Sequence, residues 1–337
     1  MSGATAVAAK HGEEDLSQDT VCIQLPDILL ICSPFELRTN KHCRAVSQAS
    51  EKWLADSGGA LASVNWRPLK VGLLAAACYP TADVPQLKLI TDILNLLMYQ
   101  IDQAHWERAP IPDPWATEVA SSDSERDMFS LLSDRLSRVA YRHPWWYMRF
   151  NKSQLTFCKA RCEAPTSAVD DIESYTAFRR KESGFFLAIC MIEYARDLNL
   201  PESILGSESF QKLQNHACDI ALLSEDIVSC TKGTPIERPN IITVLRRTET
   251  LPLEGALALA GTLTKERVDA FMDTERIILE SLVTASQPTN MDVRSYIQGL
   301  RDWVAGFVNW LYETNRYLGE KGCEVRAFGW VFIPLNP

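Results

Sequence analysis

Four short stretches of this chain concentrate side chains able to do chemistry. Ile101-Asp102-Gln103-Ala104-His105 offers a carboxylate and an imidazole, and Tyr175-Thr-Ala-Phe178-Arg179-Arg180-Lys181-Glu182-Ser183-Gly184 is rich in cations. Glu225-Asp226-Ile-Val-Ser229-Cys-Thr-Lys232-Gly233 mixes acids, a hydroxyl and a lysine. Trp303-Val-Ala-Gly306-Phe-Val-Asn-Trp310-Leu-Tyr-Glu-Thr314-Asn-Arg316-Tyr317 sets aromatic rings ahead of a cation and a phenol. Arginine, lysine and tyrosine donate to anions, carboxylate and amide oxygens hold hard divalent cations, and π faces shelter positive charge. Each stretch also has an ordinary explanation. An Arg-Arg-Lys run is commonly a solvated face, a terminal Arg-Tyr caps a helix end, and aromatics at helical spacing are most often core.

The elements that must position these residues read as helices. Ala45, Ala49, Trp53 and Leu54 recur at helical spacing over His42 to Ser57. Over Pro85 to Ile101 the same period is carried by Leu87, Ile90, Ile93, Leu94, Leu97 and Met98. Ser121 to Val139 begins with serine and acids, the signal of a capped helix, after a break at the prolines of Ala109 to Pro114. Phe185 to Leu198, Ser207 to Ser224, Leu253 to Ser286 and Met291 to Leu318 follow, separated by Pro201, by Gly233 to Pro239 and by Gln287-Pro288. Val21 to Ser33, with Pro26 and Pro34 close by, reads as an extended arm. Strand-type alternation and internal repeats are absent from the pattern. The expectation is one all-α domain over residues 21–337, behind a disordered lead-in over residues 1–20.

Composition narrows the function classes. With 337 residues, 46% hydrophobic and 23% charged, the chain can bury a large core. A formal charge of -9 and the lack of a long basic run disfavour general nucleic-acid binding. The apolar runs Val71 to Cys78 and Ile93 to Met98 fall short of the roughly 20 residues that span a bilayer. The first residues lack a basic start and an apolar core, so no secretory signal is expected and the cytoplasm is the expected compartment. The ten cysteines then read as reduced thiols, and Cys158 with Cys162 lacks the further ligands of a zinc site. Dinucleotide-binding, Walker, nucleophile-elbow and His-Glu-x-x-His signatures are missing, and His143 and His216 are isolated.

The Trp-x-x-Gly-x-x-x-Trp-x-x-x-Thr-x-Arg-Tyr pattern ending at Tyr317 resembles the final helix of microbial and fungal class I terpene cyclases. Tyr175 to Gly184 resembles the same family's Tyr-x-x-x-Arg-Arg-x-x-x-Gly segment, with Arg179 lying 46 positions before Glu225 as in the family. The resemblance runs from about Ser33 to Leu318. It implies a single-domain helical bundle around a central cavity, acting on a prenyl diphosphate, most naturally C15 farnesyl diphosphate. It further implies Arg179, Lys232, Arg316 and Tyr317 as diphosphate-binding residues, with Met98, Phe307 and Trp310 lining the cavity.

The metal motifs depart from the family. Its Asp-rich DDxxD motif falls on residues 101–105, where Ile101 replaces the leading acid and His105 the last, leaving Asp102 as the hard oxygen ligand. In the second motif Glu225 replaces asparagine, Ser229 is kept and Gly233 replaces the closing glutamate. The resemblance thus implies Mg2+ held by Asp102, Glu225 and Ser229, with fewer than the family's three ions. Three functions stay open: a working terpene cyclase of secondary metabolism; a non-standard enzyme that joins a terpenoid or its cation to a nucleophile, with Asp102, His105 or Glu225 as acid or base; and a catalytically inactive binding partner. The expected partners are a prenyl diphosphate or terpenoid, with a homodimer left open.

Overall fold

The computed structural model describes residues 20–102, 128–162, 171–232, 240–284 and 289–334. Nearly everything in these stretches is α-helix. The helix Val71–Cys78 is apolar on all sides and buried along almost its whole length, as a helix enclosed by others must be. Cys43–Asp56, Val84–Asp102 and Asn290–Glu313 pack around it. Asn290–Glu313 also meets Phe185–Ala195 and Glu208–Ser229, and Glu208–Ser229 packs along the 32-residue helix Leu253–Thr284. Pro144–Cys162 closes another side, against Ile172–Glu182 and Phe185–Ala195. The periodic residues of Val84–Asp102, from Leu87 to Met98, are all buried as their spacing requires. Among the described residues no helix is long and apolar enough to cross a membrane, and the described cysteines are free thiols.

Three expectations change. The arm read over Val21 to Ser33 is a strand, Thr20–Gln24, followed by a helical turn, Ile28–Ile31, capped by Asp27. The strand pairs antiparallel with Trp330–Pro334, placing Cys22 opposite Phe332; a strand whose partner lies at the far end of the chain leaves no local pattern. The lead-in, apart from Thr20, lies outside the described residues, as do the prolines of 109–114. The helix expected from Ser121 is described only from Met128, where Met128–Leu132 is a 3-10 turn running into the α-helix Ser133–Arg142.

The third change bears on the site. The helix expected from Met291 to Leu318 stops at Glu313, and Arg316 and Tyr317 sit on a separate turn, Asn315–Leu318. Thr314 makes the break: its backbone is extended (ψ 143°), and its hydroxyl accepts from the Arg316 N–H at 3.2 Å and donates to the Leu69 carbonyl at 3.1 Å. A threonine that caps the following turn while bonding a neighbouring loop competes effectively with continued helix.

Two glycines are required by geometry. A Cβ on Gly306 would stand 2.4 Å from the Ala77 carbonyl carbon and 2.5 Å from the Cys78 nitrogen, so the two central helices touch backbone to backbone there. Gly184 adopts φ +75° between Ile172–Glu182 and Phe185–Ala195, a left-handed turn closed to most side chains. Gly306→Ala is expected to cost at least about 1–3 kcal/mol, because backbone on both sides must move. Urea denaturation checks this, and an unchanged midpoint would refute the close-contact account.

Candidate active site

The four chemistry-bearing stretches converge at one end of the bundle. Asp102 is the last residue of Val84–Asp102, Arg179 lies in the last turn of Ile172–Glu182, and Glu225 lies in the last turns of Glu208–Ser229. The turn Asn315–Leu318 closes over them. Arg316 Nη1 donates to Asp102 Oδ2 at 2.5 Å, and Tyr317 OH donates to Glu225 Oε1 at 2.6 Å. Arg316 Nε meets the Tyr317 oxygen at 3.2 Å. Arg179 Nη2 reaches Glu225 Oε2 at 3.4 Å and Asp226 Oδ1 at 3.5 Å, while its Nη1 donates to Glu182 Oε2 at 2.5 Å.

Three arginines and four carboxylates thus form a continuous chain, since Glu182 Oε1 also accepts from Arg161 at 2.9 Å. Arg161 also reaches the helix Val84–Asp102 by donating to the carbonyls of Gln100 at 3.1 Å and Ile101 at 3.4 Å. Sequence reasoning assigned no role to Glu182, Asp226 or Arg161. Glu182 had a signal, lying three residues after Arg179 on one helix face, and Asp226 adjoins Glu225. Arg161 had none, because its partners are distant in sequence.

Burial sets the electrostatics. Desolvation works against the charge on Arg179, but Tyr175, Asp226, Glu182 and Glu225 outweigh it and hold its pKa well above the usual value. Arg316 behaves likewise: burial is outweighed by Tyr317, Asp102 and Glu225. Asp226 goes the other way. Burial raises its carboxyl to about 6, against the opposing pull of Arg179 and the Tyr175 hydroxyl, which donates to Oδ2. Arg179 divides its attraction among several acids, so it cannot fully offset the desolvation of one. The backbone N–H of Ile241 completes the Asp226 environment at 3.0 Å. Arg179 Nε is buried without a hydrogen-bond partner.

The metal-motif positions are unevenly equipped. Ile101 is half-buried against the core and brings no donor. Asp102 and Glu225 supply hard oxygen, each engaged by one member of the Arg316-Tyr317 pair. The Ser229 hydroxyl donates to the Asp226 carbonyl at 3.3 Å and accepts from Asn240 Nδ2 at 3.2 Å. Among the described residues no group of three or more His, Cys, Asp or Glu is arranged for a metal ion. The donor chemistry fits a hard divalent cation, with two carboxylates that must first leave their present partners. His105 and Gly233 lie outside the described residues; Lys232 ends the turn Cys230–Lys232, and its side chain is likewise outside them.

The aromatic residues form a line leading to Tyr317. Phe185 meets Phe307 edge-on at 4.8 Å, and Trp303 stacks on Phe307 at 5.8 Å. Phe307 then meets Trp310 at 5.8 Å, and Trp310 stands perpendicular to Tyr317 at 6.1 Å. Trp310 Nε1 is satisfied by the Leu69 carbonyl at 2.9 Å. Met98 is buried one turn before Asp102. By contrast, Asp92 is no free acid: Ser50, Lys88 and Arg135 all donate to it.

The chain is similar to known proteins in sequence and in fold. Residues 102–270 match the family model "Terpene synthase family 2, C-terminal metal binding". The chain is 27% identical over 341 residues to Sesquiterpene synthase Agr1 of Cyclocybe aegerita, covering 95% of each. It is 29% identical over 335 residues to Sesquiterpene synthase 6 of Postia placenta, covering 94% of this chain and 97% of that one. Among solved structures, wild-type cucumene synthase superposes with a TM-score of 0.69 at 22% identity, over 83% of this chain and 99% of that one.

Asp226 gives a pH test. Its folded pKa lies above the unfolded value, so its contribution to stability is full below about pH 4 and is lost as pH rises through about 6. Asp226→Asn removes that dependence. Relative to the parent, the variant should gain roughly 1.5 kcal/mol between about pH 5 and pH 8. Denaturation at the two pH values checks this, and a constant difference between the proteins would contradict it.

Proposed function

Because the chain belongs to the terpene synthase family, a family of enzymes with lyase activity, we propose that it cyclises a C15 prenyl diphosphate, farnesyl diphosphate. The observation that carries this reading is the circuit of Arg179, Glu225, Tyr317, Arg316 and Asp102 at the end of a line of aromatic rings. The C15 length is supported by the names of the relatives, which are sesquiterpene synthases.

The diphosphate is received by Arg179, Arg316 and Tyr317, with Lys232 as a further donor. These groups now satisfy carboxylates, so an incoming polyanion takes their hydrogen bonds and releases Asp102 and Glu225. Asp102, Glu225 and Ser229 would hold magnesium, which would supply neutralisation of the charge gathering on the departing diphosphate. The carbon–oxygen bond breaks with its electron pair leaving on diphosphate, and the arginines and Tyr317 bind that anion more tightly as its charge grows. The allylic cation left behind faces the Phe185, Phe307 and Trp310 rings, whose π faces stabilise it and whose packing excludes water.

Purified protein incubated with farnesyl diphosphate, with and without magnesium, should release diphosphate and a cyclic product only with the metal. Arg316→Ala should lower turnover by about 100-fold or more, since a charge-assisted contact to the leaving group is lost. Saturable farnesyl diphosphate binding that Arg316→Ala abolishes, without any release, would reject the cyclase reading. Ile101 favours one second reading: an enzyme that uses the same clamp and cavity without metal-driven ionisation, on a terpenoid made elsewhere.

A further inference from the structure

A second cleft runs along Phe185–Ala195, between Pro144–Cys162 and Glu208–Ser229. Phe185 turns into the aromatic line, whereas Phe186, Cys190 and Glu193, at helical spacing on another face, wall this cleft. Asp102, Arg179, Glu225, Arg316 and Tyr317 take no part in its lining, so it is separate from the site already described. Its volume of about 240 Å3 lies below the roughly 300–1,000 Å3 of clefts that take drug-sized ligands. From Gly184 to Glu193 it follows the helix for roughly 14 Å, so its occupant must be slender and elongated. Ser153 Oγ meets Cys190 Sγ at 3.3 Å and Arg149 meets Glu193 at 2.7 Å. That antiparallel register carries Phe157 toward Phe186, making one end of the cleft apolar.

The other end is polar and holds an unspent donor. Tyr296 is 1% exposed, and its hydroxyl accepts from Gln214 Nε2 at 2.6 Å, while its own hydrogen has no acceptor among the described residues. Burial, with Glu193 and Cys190 nearby, holds this hydroxyl well above its usual pKa, so it stays protonated and able to donate. Burial also pushes the Cys190 thiol up to about 11, which leaves it a neutral wall and not a nucleophile. Four cations and two carboxylates line the cleft, in a chain of formal charge -9. Arg149 takes up both acids, Glu193 and Glu202, and Arg180 is held by Asp219 at 2.6 and 2.7 Å. Lys152 and Lys181 are exposed and have no ion-pair partner among the described residues. We propose that this cleft binds an amphiphilic organic anion, its phosphate or carboxylate head received by Tyr296, Ser153 and Lys152 and its hydrocarbon chain laid along Phe157 and Phe186. A buried hydroxyl donor beside an unmatched ammonium selects an oxyanion, and the rings favour a chain over a bare ion. The cleft stands whether or not farnesyl diphosphate is the substrate of the other site.

The test is titration calorimetry on the full chain with decyl phosphate and with decanoate, each kept below the concentration at which it forms micelles. Titrations are run with and without magnesium and inorganic diphosphate, the ligands expected around Arg316. Both probes should bind saturably, one per chain, in either condition. Tyr296→Phe should weaken them about tenfold, because a hydrogen bond to a charged head is lost, and the exposed Lys152→Glu by at least as much. Arg316→Ala should change their affinity less than about threefold. Inorganic phosphate and decyltrimethylammonium should bind at least about tenfold more weakly than decyl phosphate. Undiminished binding in Lys152→Glu, a change that leaves the core untouched, would overturn the site even if Tyr296→Phe failed to fold. Equal binding of decyltrimethylammonium would mark apolar adsorption only and overturn it as well. Displacement of decyl phosphate by diphosphate, or its loss in Arg316→Ala, would put the probe in the other site and remove the cleft. A protein that binds both probes but turns over no farnesyl diphosphate keeps the cleft and loses the cyclase reading.

Discussion

A buried guanidinium does not shed its proton, so every arginine that a fold encloses must be met by an anion. Arg179 and Arg316 impose that requirement at one end of this bundle, and the surrounding structure answers it with Asp102, Glu182, Glu225 and Asp226. These acids come from three helices separated widely in sequence. Their convergence is what the fold must secure before any chemistry is available. In this balance Arg179 and Arg316 each already donate to a carboxylate.

Backbone devices make that convergence accurate. Contact between Gly306 and the Ala77-Cys78 peptide brings the backbones of the two central helices together. Thr314 then ends the later helix and turns the chain, so Arg316 and Tyr317 face Asp102 and Glu225 instead of continuing along the axis. Gly184 performs the corresponding turn after Arg179, allowing Phe185 to enter the aromatic line while Arg179 and Glu182 stay in the ionic one. Ionic and aromatic layers meet at Tyr317, which donates to Glu225 while standing edge-on to Trp310.

The altered metal motifs acquire a physical meaning in this setting. Ile101 packs against the core, so its side chain contributes apolar burial. Asp102 and Glu225, the acids left at these positions, are each engaged by a member of the Arg316-Tyr317 pair. Asp226, adjacent to Glu225, is buried, has its carboxyl raised to about 6, and is occupied by Tyr175, Arg179 and the Ile241 amide. Two adjacent acids thus carry different duties, set by burial and not by residue type.

The sequence by itself determined the helical class and most of the helices, because the 3.6-residue period of Leu87 to Met98 and its counterparts is a local property that packing merely satisfies. It also identified the cation-rich and acid-rich stretches, and the Trp-Gly-Trp frame whose glycine proves to be a backbone contact. Other features were decided only by tertiary structure. The strand Thr20–Gln24 exists because Trp330–Pro334 lies beside it, and the break at Thr314 depends on the Leu69 carbonyl. Arg161 has no local pattern to mark it, since its partners include Glu182 and two carbonyls on a different helix. Composition and periodicity report which side chains a segment carries and which face is apolar. Which charge answers which is settled by desolvation once distant segments are packed together, and that cost exists only in the folded chain.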